Sequence, residues 1–216
     1  ADFNQDILPS GSGTIKAVVT KTYDGDNLVL MLNSTQDISL NGAACELLKL
    51  SDFDAVLDEQ FDDAVDGSKF NYSGWFNYNE VGSEYWTEQV YSGNGYAEFS
   101  AFRTGDDVNI GWLVSPAFDL TSATSAYVSF NLAQHHLSDE QNNTLEVFIS
   151  SDFNGTDVMG ASWSKLNVAI PGESASWYAF QESGLIDISS YSGTLHLAFK
   201  YTGSGTNTEL DGGYFV

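Results

Sequence analysis

Apolar and polar positions alternate in short runs along this chain, and no stretch keeps a helical period. Near the start, "TIKAVVTKTY" (14–23) has a β-branched core with partial alternation and predicts a strand. "DGDN" (24–27) supplies a turn, "LVLMLN" (28–33) a second strand and "DISLNG" (37–42) a third. Residues 1–50 therefore read as a small N-terminal β-hairpin segment or part of a small β domain. Alone it buries little, so it is expected to dock on the main body or on further sequence. "ELLKLSDFDAVL" (46–57) fits a short helix or a strand with a loop, and the pattern leaves both open.

From residue 51 to 216 one plan repeats: short apolar runs, many aromatics, and turns rich in Gly, Asn, Asp and Ser. "GYAEFSAF" (95–102) alternates, and "NIGWLVSPAFDL" (109–120) carries a strand that proline ends, since proline offers no ladder donor. "AYVSFNLAQ" (126–134) and "NTLEVFISSDF" (143–153) are the clearest strands. "WSKLNVAI", "LIDIS", "TLHLAFKY" and the terminal "ELDGGYFV" follow. Many short strands without a long helix predict an all-β, two-sheet antiparallel β-sandwich. The 14 Phe, 11 Tyr and 5 Trp can fill its interior.

Composition narrows the function classes. Lysine and arginine number 7 against 30 acids, a formal charge of −23. Phosphate binding runs on basic side chains, so a nucleic-acid role and an anionic membrane surface are both disfavoured. Cys45 stands alone, so no internal disulfide forms. No apolar run reaches membrane-spanning length, so no transmembrane segment is expected. The absence of a leader at Ala1 suits a mature secreted chain, a cytosolic one and an excised fragment equally.

Several motifs, taken in order, resemble one bacterial domain type: "SGWFNYN", "YWTEQVYSGNGYAEFSAF", "WLVSPAFDLTS", "NTLEVFISSDFNG", "ASWSKL", "IDISSYSGTLHLAFKYTGSG" and "LDGGYFV". The chain is similar, over about residues 53–216, to the choice-of-anchor J and cleaved-adhesin group of secreted and surface Bacteroidetes proteins. The resemblance implies a jelly-roll sandwich, often with structural calcium, and a place on adhesins, proteases or polysaccharide-handling lipoproteins. Fold alone does not fix function.

Calcium wants six to eight oxygens. The resemblance places such a site where the first strand meets the last, which implies Asp58 and Glu59 on one side and Asp211 on the other. Asp139 and Glu140 would close the shell, with Asn142 or Asn143 adding neutral oxygens. The crowded acids of "LDEQFDD" (57–63) would lose their mutual repulsion to a divalent ion. Solvated surface acids in Asp- and Asn-rich turns are the competing reading. The group usually has an acid or asparagine after that aspartate, whereas Gly212 follows here. "DDAVDG" is not an EF-hand, because Ala64 breaks the donor alternation and Ser73 replaces the bidentate glutamate.

His135 and His136 are adjacent and would face opposite sides of a strand, and His196 is distant, so transition metals are not expected. No G-x-S-x-G elbow occurs, and none of the acids is marked as half of a glycosidase pair, so the chain is not expected to be an enzyme. Aromatics are more suggestive, because a sugar ring stacks its apolar face on a flat ring. Trp75, Tyr78, Tyr85 and Trp177 are the candidates for an exposed stacking surface, while Trp86, Trp112 and Trp163 are expected to pack inside. The resulting expectation is a non-catalytic glycan-binding module at the cell exterior or outer-membrane surface. It would hold a polysaccharide, neutral given the acidic surface, beside outer-membrane glycan uptake proteins. An adhesion or structural module with a protein partner is the alternative, and a glycoside-acting enzyme ranks below both.

Overall fold

The computed structural model describes residues 12–22, 28–32, 34–43 and 48–216. Cys45 and the "DGDN" turn lie outside the described residues. The chain forms two compact units, Ala1–Lys49 and Leu50–Val216. The first holds β1 (Thr14–Ile15), β2 (Val18–Lys21), β3 (Leu28–Met31) and β4 (Ile38–Ser39). Antiparallel pairs join β2 to β3, with Val19 opposite Leu30, and β1 to β4. Val18, Val19, Leu28, Leu30 and Met31 are exposed, so both faces of this ribbon carry apolar side chains.

The second unit begins with a single 3-10 turn, Leu50–Asp52, within the segment whose pattern was ambiguous. Its strands are β5 (Ser68–Lys69), β6 (Phe76–Val81), β7 (Thr87–Tyr91), β8 (Asn94–Ser100), β9 (Asn109–Val114), β10 (Phe118–Asp119), β11 (Tyr127–Val128) and β12 (Asn131–His135). They continue with β13 (Thr144–Ser150), β14 (Ser164–Lys165), β15 (Gln181–Glu182), β16 (Ile186–Asp187), β17 (Thr194–Gly203) and β18 (Gly213–Phe215). Two six-stranded antiparallel sheets result. One has the order β14-β13-β17-β9-β6, with β10 also on β17, and the other β15-β12-β18-β8-β7-β5. The fold is an all-β antiparallel sandwich. The run "AYVSFNLAQ" proves to be two strands, because β11 pairs with β16 while β12 pairs with β15 and β18.

Period-two alternation sets the layers. On β17, Leu195, Leu197, Phe199 and Tyr201 point into the interior with Trp86, Phe99, Leu113 and Tyr214. Phe99 and Tyr201 stack across the two sheets, ring centroids 4.4 Å apart. The opposite side of the first sheet is also dry. Trp112, Val114 and Ala198 meet Phe153 and Val158, with Phe76, Tyr78, Phe148 and Trp163 packed around them. That second cluster is roofed by the segment 151–163.

Candidate binding face and cation cradle

The outer face of the second sheet is different. Pairing carries one row of residues across it: Ala133, Phe215, Glu98, Thr87 and Lys69. Tyr96 and Gln89 form the next row. Tyr96 packs on Phe215 with centroids 4.8 Å apart and edge-on to Phe180 at 5.5 Å. At the far side Lys69 sits over the Tyr85 ring, 3.1 Å from its centroid. Between them Glu84, Tyr85, Thr87, Gln89, Glu98 and Ser100 line a shallow groove of about 150 Å³.

The other margin of this face is built by the loop 171–180. Gln134 on β12 is fully buried; two of its bonds hold that loop and a third ties the turn after β12. Its Nε2 donates to the Ala175 carbonyl (2.7 Å), its Oε1 accepts from the Leu137 amide (3.3 Å) and its own carbonyl accepts from the Tyr178 amide (2.9 Å). The loop thereby presents Trp177 and Tyr178, 52% and 56% exposed, over the sheet. Tyr178 stacks on Phe215 and on His135, and Trp177 lies 4.0 Å from the His136 ring.

The histidines do not behave as residues of a flat strand. His136 lies just past β12 with φ of 53°, a left-handed conformation rare outside glycine. The kink turns both rings to one side, and their Nδ1 atoms approach to 2.9 Å. Gly213, opposite His135, has no side chain; a Cβ there would strike the imidazole. The ring therefore lies across the gap and its Nε2 reaches Glu98 Oε1 at 3.1 Å. Nothing in the residue types announced that kink.

Of the four aromatics singled out from the sequence, Tyr85 and Trp177 share this face. Trp75 does not, because it packs on Phe61 and Phe70 at the rim of the main core and its Nε1 donates to Glu59. Tyr78 belongs to the roofed cluster on the other sheet. Tyr96, Tyr178 and Phe180 complete the band in their place. Their exposure depends on which sheet and which loop carries them, and only topology reveals that.

The acids divide in the same way. The Phe61 carbonyl lies against Gly95 at the start of β8, whereas the Asp211 carbonyl accepts from Ser100 Oγ at its end. The length of β8 separates them, about 17 Å at the usual rise per residue. Glu59 accepts from the Phe61 amide and the Trp75 indole, and Asp58 from Gln60. Asp58 and Glu59 therefore do not join Asp211, which corrects that part of the expected ligand set.

The loop Asp139–Asn143 does reach the Asp211 end. Asp139 is held by Gln141 and Asn142, which lowers its pKa, the Asn142 side-chain bond being the largest cause. Glu140 and Glu173 each accept the other's amide. Asn143 is fully buried; its Nδ2 donates to Tyr201 Oη and the Thr202 carbonyl, while its Oδ1 has no protein partner. Where a Cβ of Gly212 would stand, His136 O, Asn143 Oδ1 and His135 O converge at 2.8, 2.9 and 3.0 Å. Three acceptors around one point, one of them the orphaned buried Asn143 Oδ1, with Asp211 next to Gly212 in the chain, fit a hard cation's preference for oxygen. Tyr201 seals the base of this cradle, accepting from Ala101 N and donating to Gly212 O, and burial drives its pKa upward. Among the described residues, no group of three or more His, Cys, Asp or Glu side chains gathers as a metal cluster.

A second, wider cleft of about 670 Å³ is lined by Leu166, Val168, Ala169, Leu185, Ile186 and Tyr191 among others. Lys165, Asn167, Ser183, Asp187 and Ser190 also line it, and Tyr191 is its one aromatic ring.

No family model matches the chain, and no curated protein matches it. Among solved structures it is similar to the K1 cleaved adhesin domain of Lys-gingipain from Porphyromonas gingivalis W83. That likeness is 14% in identity with a TM-score of 0.41, over 73% of this chain and 95% of that one. No helix of the described residues is long and apolar enough to cross a membrane.

Proposed function

We propose that this chain is a non-catalytic binding module of an extracellular or outer-membrane surface, and that it holds a neutral polysaccharide on the outer face of the second sheet. The observation that carries this reading is the set of exposed and half-buried rings Trp177, Tyr178, Tyr96 and Tyr85, with Tyr178 and Tyr96 backed by buried Phe215. Flat rings stack on the apolar faces of sugars, and Gln89, Thr87, Glu98 and Glu84 supply hydroxyl partners between them. Two carboxylates in the groove disfavour an acidic glycan. A calcium ion in the Gly212 cradle would bind the loop Asp139–Asn143 to the start of β18, supplying charge balance and rigidity. Neighbouring outer-membrane uptake proteins are the fitting context for such a module.

Affinity electrophoresis and calorimetry against neutral and acidic polysaccharides, with calcium present, test the proposal. Binding to a neutral polymer that is lost in Trp177→Ala/Tyr178→Ala supports it. A folded sample that binds none of them removes it. A second reading, docking of a protein partner, is supported by the exposed apolar residues of β2 and β3. Partner capture that survives Trp177→Ala/Tyr178→Ala but fails in Val19→Ser/Leu30→Ser would assign function to that ribbon.

A further inference from the structure

His135 stacks on Tyr178 and Phe215, His136 lies against Trp177, and the two imidazoles meet edge to face. Their Nδ1 atoms are 2.9 Å apart, so one ring donates a proton to the other's lone pair. Glu98 fixes which: its carboxylate accepts from His135 Nε2–H, leaving His135 Nδ1 as the lone pair and His136 Nδ1 as the donor. A carboxylate behind a histidine whose other nitrogen carries a lone pair is the arrangement that orients metal-binding imidazoles. The left-handed backbone at His136 carries strain, and such strain persists where the surroundings over-determine it.

We propose that His135 Nδ1 and His136 Nδ1 form a two-nitrogen pincer for a divalent ion of tetragonal preference, copper(II) or nickel(II). The ion takes the place of the proton between the rings, which passes through solvent to His136 Nε2, so both imidazoles bind as neutral ligands through Nδ1, and water fills the remaining positions. The bite decides the metal class. With metal–nitrogen bonds of about 2.05 Å, nitrogens 2.9 Å apart subtend about 90° at the ion. That is the angle between neighbouring ligands in a tetragonal site. Tetrahedral zinc would need the nitrogens opened to about 3.3 Å. His136 is exposed, so the ion has an entry path, and binding turns each Nδ1 lone pair by about 45° from the line joining the two nitrogens.

Titration of the full chain with copper(II) chloride, followed by electron paramagnetic resonance and visible absorption, tests this. One equivalent should bind with two nitrogen donors and quench the emission of Trp177, which touches the His136 ring; Trp177→Phe should remove that part of the quenching. His136→Gly should abolish the two-nitrogen signature while keeping the fold, because glycine accepts the positive φ without strain. His135→Ala should do the same, and Glu98→Gln should weaken binding about tenfold. Copper bound equally well by the wild type and His136→Gly, or spectra without two nitrogen donors, would overturn the proposal.

Discussion

The sandwich has aromatic side chains on both of its outer faces, and they are used in opposite ways. On the first sheet Trp112 is nearly sealed under the loop 151–163, whose Phe153 and Val158 pack into the same cluster. Each indole there is satisfied: Trp112 Nε1 donates to Glu80 at 2.7 Å, and Trp163 Nε1 to the Val158 carbonyl at 2.9 Å. On the second sheet the loop 171–180 does not roof the strands but holds Trp177 and Tyr178 upright beside them. One loop buries apolar area against the sheet, and the other displays it. The difference lies in anchoring. Asp152 and Phe153 fold back onto β13 and close the first lid, whereas buried Gln134 grips the second loop by its backbone, and that loop's rings rest on Phe215, His135 and His136 with about half of each exposed.

The largest expected effect lies on the roofed face. Trp112→Ala opens a cavity beside Val114, Phe148 and Trp163 and leaves Glu80 without its indole donor, so it should cost about 3–5 kcal/mol. Urea unfolding of the purified chain measures it, and a change below about 1 kcal/mol would mean that the lid refills the space. Trp177→Ala on the other face should leave unfolding free energy within about 0.5 kcal/mol of wild type. If the band is the binding surface, the same change should weaken polysaccharide binding by on the order of 30-fold, a loss typical of a central aromatic anchor. Equal effects of the two substitutions on stability would erase the distinction between the faces.

Sequence reasoning recovered one half of this contrast. Alternation in "NTLEVFISSDF" and "TLHLAFKY" is strong enough to give β13 and β17, and turn residues frame most other strands. It missed β6 and β7, where aromatic and polar residues alternate without an aliphatic core, and it merged β11 with β12 across Ser129 and Phe130. Trp112 and Trp177 are chemically alike; which is roofed depends on a loop from elsewhere in the chain. The pairing of His135 with His136 rests on one dihedral angle, and the separation of Glu59 from Asp211 on the direction of β8, neither of which composition encodes.

Smaller effects are expected at the Gly212 cradle, the loop end that adjoins the displayed face. If calcium occupies it, a chelator should lower the melting temperature and calcium should restore it, by about 2.7 kcal/mol of stabilisation at a free concentration 100 times the dissociation constant. Asn143→Ala removes one converging oxygen and should abolish most of that response, whereas Glu59→Gln should preserve it. A chelator response lost in Glu59→Gln and intact in Asn143→Ala would place the ion at the other end of β8.

The smallest effect returns to the lid. Asp152 accepts from the Ser162 amide and from Ser150 Oγ, both at 2.8 Å, and these bonds, the Ser162 amide first, hold its pKa below the usual aspartate value. A depressed folded-state pKa stabilises the fold above the unfolded value near 3.9, and that contribution fades as pH falls through the lower, folded value. The carboxylate is fully exposed, so solvent screens it and only the lid should respond. Hydrogen exchange at the Ser162 amide should therefore lose protection below about pH 4, relative to amides of β13, while the strands stay protected. Asp152→Asn should remove most of the pH dependence and leave the lid in its loosened state at neutral pH. Protection at Ser162 that tracks β13 down to global acid unfolding would mean that Phe153 and Trp163 hold the roof by packing alone.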